Sequence, residues 1–125
     1  MTLEILIQIM EMAVEACKAA NLLVDKTAQV FLLENKAETK HLANFYREKV
    51  GAYDEAQDKL EIIIRELEET KNISFASYET CRTIKYWLID YLDIPGIAPI
   101  THILFSCVHF YTDYYEQVNH LENHP

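Results

Sequence analysis

Glycine and proline are scarce in this sequence, which has two glycines and three prolines in 125 residues and neither between Met1 and Val50. Because these residues are the strongest local breakers of regular structure, their scarcity predicts long helices. Gly51 and Gly96 belong to no phosphate-binding or dinucleotide-binding fingerprint, which excludes nucleotide binding by those routes. No alternating pattern is strong enough to compete with the helical one, so we expect an all-α protein.

Cysteine is also rare, and the three present are far apart without a CxxC spacing: Cys17, Cys81 and Cys107. Each lies among apolar residues, where a reduced thiol behaves as a small hydrophobic side chain. Cys107 has a histidine two residues away, but side chains at that spacing on a helix point about 200° apart. We therefore expect no thiol enzyme, and a cytoplasmic location.

Basic residues are outnumbered, 11 against 20 acidic ones, which gives a formal net charge of −9. Nucleic acids and anionic membrane surfaces are bound through clustered lysine and arginine, so neither is an expected partner. The N-terminal apolar run has no basic flank and is interrupted by Glu4, Gln8 and Glu11, unlike a signal peptide or a membrane-spanning helix. The acidic run between residues 54 and 69 is typical of a solvated face, although an inhibitor covering a basic site has the same composition.

Apolar residues make up 50% of the chain, enough for one helical domain over residues 1–125. Two neighbouring stripes at steps of three and four run along the first segment. The first stripe comprises Leu3, Leu6, Met10, Ala13, Cys17, Ala20, Val24, Thr27 and Phe31. The second comprises Ile5, Ile9, Met12, Ala16, Ala19 and Leu23. Together they leave water only a narrow polar face, so this helix is apolar around most of its circumference.

The same spacing predicts a four-helix antiparallel bundle built on a long hairpin of helices over about 3–33 and 36–70. Two shorter helices follow over about 75–93 and 99–121, separated by the turn at Pro95 and Gly96. The break after the first helix falls either near Asp25 or near Asn35. Asn35 is favoured, because Glu38 stands three residues later in a capping-box pattern.

The last helix carries a polar stripe spaced by three and four: His102, Ser106, His109, Asp113, Glu116 and His120. Pairs four apart, such as His109 with Asp113, can reach one metal ion. A metal-binding bundle protein or enzyme is therefore the alternative hypothesis. A solvated face is the favoured interpretation, because an amphipathic helix turns its polar side to water and no HExxH motif is present.

An excess of apolar and aromatic surface favours a binding protein over an enzyme, since one bundle interior accepts only about half of a helix surface. We expect a non-catalytic, cofactor-free module that masks a partner protein, as an inhibitor, immunity protein, adaptor or regulatory subunit. A homodimer through the first helix is its plainest form. The predicted interface residues are Leu3, Leu6, Ile9, Met10, Met12, Tyr111, Tyr114 and Tyr115.

Overall fold

The structure is a computed structural model that describes residues 2–34 and 36–119. It contains four α-helices, which confirm the predicted all-α bundle and most of its boundaries. They are α1 (Leu3–Leu33), α2 (Ala37–Thr70), α3 (Phe75–Leu88) and α4 (Ala98–Val118). Helix α1 continues through Asp25 without interruption, which settles the position of the first break in favour of the later site.

Short polar side chains start three of the helices. The Thr2 hydroxyl accepts from the Ile5 backbone N–H at 3.3 Å, and the Ser74 hydroxyl accepts from that of Ser77 at 3.1 Å. At α2 the N-cap is Lys36, whose backbone N–H donates to Thr39 Oγ1 at 3.2 Å. The cap predicted at Asn35 falls on a residue outside the described ranges, and the hydroxyl at the third helical position replaces the expected Glu38.

The third helix ends earlier than predicted, at Leu88, because the chain tightens into a 3₁₀ turn over Ile89–Tyr91 before the proline. Gly96 then adopts a left-handed φ of 88°, which glycine tolerates without steric cost. Helix α4 begins at Ala98 with Pro99 in its first turn, as expected. Its predicted end at residue 121 lies outside the described residues.

Helix α1 packs against both α2 and α4, and α3 packs mainly against α4. The α1–α2 hairpin is bridged by Asn21, whose amide donates to Asp54 Oδ1 at 2.7 Å. The core is formed by the facing sides of all four helices, and its largest completely enclosed side chains include Leu6, Met10, Tyr53, Leu60, Ile84, Leu104 and Tyr111. Across the described residues, no helix combines the length and apolar character needed to span a membrane.

Tyrosine hydroxyls connect α2 to the start of α4. The Tyr46 hydroxyl donates to the Pro95 carbonyl at 2.9 Å, and that of Tyr53 lies 2.9 Å from Thr101 Oγ1. The Tyr53 ring also makes edge contacts with Trp87 and Tyr91 at centroid distances of 5.9 Å. Much of the aromatic richness seen in the sequence therefore serves internal packing.

Candidate functional site

The two apolar stripes of α1 differ in how far they are buried. The first stripe faces α2 and α4, and most of its members are completely enclosed: Leu6, Met10, Ala13, Cys17, Ala20 and Val24. Its ends, Leu3 and Phe31, are partly buried against the same core. This stripe supplies most of the contribution of α1 to the bundle interior, to which Val14, Ala16 and Ala28 also belong.

The second stripe is only partly enclosed, since Ala16 is buried and Ile9 and Ala19 are half-buried, whereas Ile5, Met12 and Leu23 are exposed. It continues past Leu23 at the same spacing, so that one line on α1 carries Ile5, Ile9, Met12, Ala16, Ala19, Leu23, Lys26, Val30 and Leu33. We call this line the α1 seam. Its exposed fractions reach 55% at Met12, 56% at Val30 and 85% at Leu33. Alternating steps of three and four are the spacing with which one helix packs along another, so the seam has the pattern of a helix-pairing surface without a helix on it.

A groove of about 600 Å³ lies along the middle of the seam. Small side chains, Ala16 and Ala19, allow close approach there, and Ile100 and Ile103 of α4 line it from the side. Ile103 is itself 48% exposed. The remaining lining residues are Gln8, Glu11, Met12, Val14, Glu15 and Ile64. The groove is thus apolar with two carboxylates, Glu11 and Glu15, at its edge.

Only part of the predicted interface can lie on the surface. Leu6, Met10 and Tyr111 are completely buried and Tyr115 is buried, so these four belong to the core and the prediction needs correction there. Met12 is exposed, and Leu3, Ile9 and Tyr114 are half-buried. The correction has a simple cause: Leu6 and Met10 belong to the first stripe, and Tyr111 and Tyr115 lie on the side of α4 that faces the bundle.

Several exposed apolar residues were not among the predicted interface residues. Leu22, Val30 and Leu33 on α1 and Ile103 on α4 are each exposed by 48% or more. The continuation of the second stripe at Lys26, Val30 and Leu33 was the signal for two of them. The residue spacing did not predict the exposure of Ile103, because that exposure depends on how α1 packs against α4.

The polar stripe of α4 faces water over most of its length. His102, Ser106, His109 and Asp113 are exposed, Glu116 is half-buried, and His120 lies outside the described residues. The Lys85 ammonium lies 3.3 Å from His109 Nδ1, and the imidazole stacks on Phe105. Among residues 2–34 and 36–119, no three histidine, cysteine or carboxylate side chains are grouped to hold a metal ion.

The cysteines are all buried and unpaired with one another in a disulfide. Burial raises the pKa of the Cys17 thiol to about 12, with a further contribution from the proximity of Cys107. Burial also raises the pKa of Cys81 and Cys107. Since the thiolate is the nucleophilic form, these side chains act as apolar packing groups at neutral pH.

No protein-family model, curated protein or solved structure matches this chain.

Proposed function

We propose that this chain is a protein-binding module without catalytic activity, which acts by covering a partner surface with the α1 seam. One observation carries the proposal: five large apolar side chains on one line of one helix are each at least 36% exposed, although the chain has a complete core. They are Ile5, Met12, Leu23, Val30 and Leu33. The corresponding roles are those of an inhibitor, immunity protein, adaptor or regulatory subunit.

Burial energetics support a binding role for the seam. Each square ångström of apolar surface removed from water contributes roughly 25 cal/mol, so the large apolar side chains exposed along the seam favour association. Contiguous exposed apolar patches with a polar rim mark interaction sites. The rim here is polar along one side, formed by Gln8, Glu11 and Glu15.

The net charge of the chain and its expected cellular compartment limit which classes of partner it can bind. With a net charge of −9, the chain repels nucleic acid and anionic lipid, which leaves proteins as the expected partners. The buried, reduced cysteines suit the cytoplasm, where thiols are kept reduced. A second copy of the chain is the plainest partner, and the binding surface needs no cofactor.

The test compares binding by three forms of the tagged chain in an extract of its own host. In the seam variant Met12→Glu and Val30→Glu, two carboxylates stand on exposed seam positions; in the control Ile62→Glu, one stands on α2, where Ile62 is 56% exposed. We expect the wild type and the control to bind the same partner, and the seam variant to lose it. Sedimentation of each purified form detects self-association in parallel.

Two results would contradict the proposal. One is equal binding by all three forms, which would place the binding surface elsewhere. The other is a wild-type chain that neither retains a partner nor associates with itself. Circular dichroism spectra of the variants are expected to match the wild type, because all three substituted positions are exposed. Matching spectra establish that any loss of binding reflects the surface and not the fold.

A further inference from the structure

From Ile5 to Val30 the α1 seam has small side chains in the middle and longer ones at both ends, whereas Leu33 lies beyond this symmetric part. Large residues stand at Ile5, Ile9 and Met12, two alanines follow, and long or branched side chains return at Leu23, Lys26 and Val30. The midpoint falls between Ala16 and Ala19. A surface that is symmetric in this way fits a reversed copy of itself, as a two-fold interface requires.

We infer that the α1 seam pairs with the α1 seam of a second copy of this chain, running antiparallel, with Ala16 and Ala19 nearest the two-fold axis. This inference rests on the proposed function and names its partner. In this register Met12 lies level with Leu23 of the partner subunit, and Ile5 with Val30 of the partner subunit. The alanines then allow the two backbones to approach to about 8 Å, the short end of helix-packing distances.

The charges along α1 select the antiparallel direction. In the N-terminal half of α1 the exposed charges are Glu4, Glu11 and Glu15, the last of which pairs with Lys18 at 3.2 Å. Asp25 and Lys26 are the exposed charges farther along the helix, and of all these only Lys26 lies on the seam itself. Parallel pairing would set the two Lys26 ammonium groups side by side at one level. Antiparallel pairing instead brings each Lys26 to the level of Ile9 and Glu11 of the partner subunit, where opposite charges attract.

The groove beside α4 provides room for the second helix. It runs past Ala16 and Ala19, and Ile100 and Ile103 of α4 form its side, so apolar contacts continue beyond α1 itself. Ile103, at 48% exposure, would become buried in the pair. The interface would thus take in α4 as well as α1, which enlarges the contact area toward that of a stable dimer.

The first experiment measures mass by sedimentation equilibrium from about 1 µM to about 1 mM, a range that covers weak and strong dimers. We expect the wild type to dimerise and the Ile62→Glu control to match it. Met12→Glu places a carboxylate in the interface twice, once per subunit, and should raise the dissociation constant about a hundredfold or more. A wild-type chain that stays monomeric throughout, or a Met12→Glu variant that dimerises as well as the wild type, overturns the inference.

The second experiment determines direction with two single variants, Met12→Cys and Leu23→Cys, oxidised separately and as a mixture. All three native cysteines are buried, so the introduced thiols are the accessible ones. In the antiparallel register the two copies of residue 12 are about 16 Å apart along the axis, at 1.5 Å per residue, too far for a disulfide. We expect cross-linked dimer only in the mixture, whereas dimer from either variant alone would indicate parallel pairing and overturn the inference.

A charge exchange tests the ion pair independently. Lys26→Glu should weaken an antiparallel dimer about tenfold, because it places a carboxylate near Glu11 of the partner subunit, and adding Glu11→Lys should restore the affinity. In a parallel dimer the two copies of residue 26 lie side by side, so Lys26→Glu replaces a pair of ammonium groups by a pair of carboxylates. Adding Glu11→Lys would then not restore the affinity. Absence of rescue overturns the antiparallel register.

Failure of this inference is distinguishable from failure of the proposed function. A monomeric chain that still binds a host protein through the seam leaves the proposed function intact and removes only the self-pairing. A monomeric chain that binds nothing through the seam contradicts both.

Discussion

At the scale of single residues, Tyr53 shows how a polar group is accommodated in the core. Its side chain is completely buried, and its hydroxyl reaches Thr101 Oγ1 at 2.9 Å, while the Thr101 hydroxyl donates to the Ile97 carbonyl. Burial raises the pKa of Tyr53 to about 12, so the phenol stays neutral. The hydrogen bond satisfies a group that would otherwise be costly to bury.

We expect Tyr53→Phe to lower the free energy of unfolding by about 1 kcal/mol, the usual net contribution of one buried hydrogen bond. Urea denaturation measures the change. The matched control is Tyr86→Phe, because Tyr86 is 79% exposed, and its effect should stay within about 0.5 kcal/mol. Equal effects of the two substitutions would show that the Tyr53 hydroxyl contributes nothing to stability.

The buried Cys17 thiol should make the folded chain less stable at alkaline pH. Its pKa is raised from 9.0 to about 12 in the folded chain, which therefore holds the thiol proton more tightly than the unfolded chain does. The resulting stability is complete below pH 9 and is lost as the pH rises from 9 to about 12. Urea midpoints measured across this range should fall less steeply in Cys17→Ala than in the wild type; parallel curves would contradict the prediction.

At the scale of elements, the two glycines should respond to alanine in opposite ways. An added Cβ meets no atom within 4 Å at either position, but Gly51 lies inside α2 whereas Gly96 has a φ of 88°. Gly51→Ala should raise the free energy of unfolding by about 0.5–1 kcal/mol, and Gly96→Ala should lower it by about 1 kcal/mol. Thermal or urea unfolding of both variants checks the signs, and a shared sign would refute the conformational explanation.

Helix lengths were largely predictable from the sequence, because a period of three and four residues is a local property. Details that depend on neighbours were not. By its spacing of four and three from Tyr46 and Lys49, Leu42 falls on the predicted inner face of α2, yet it is 41% exposed and Ala43 is buried instead. Near its start α2 therefore turns a different side to the core than the stripe implied, and only its contacts with other helices determine that rotation.

At the scale of the whole molecule, Met10 and Met12 compare a core position with a surface position on the same helix. Met10 is completely buried and Met12 is 55% exposed. Met10→Ala should lower the free energy of unfolding by about 2–5 kcal/mol, because it leaves a cavity in a packed core. Met12→Ala should change it by less than about 0.5 kcal/mol when measured at concentrations where the chain is monomeric.

The comparison uses the same side chain, the same substitution and the same helix, so propensity and chain entropy largely cancel. Chemical denaturation at low protein concentration measures both values. Similar losses for the two variants would mean that the second stripe is enclosed like the first, and the case for a binding surface would then fail.

The amino-acid order by itself determined that the chain is helical, where its helices run, and that α1 carries two apolar stripes. It could not determine which stripe is enclosed, because both have the same spacing and similar side chains. Only the tertiary structure decided this: α2 and α4 occupy one side of α1, and a helix packed on two neighbours still has a third side facing water. Leu6 is hidden and Met12 is exposed for that reason, and the surface available to a partner follows from it.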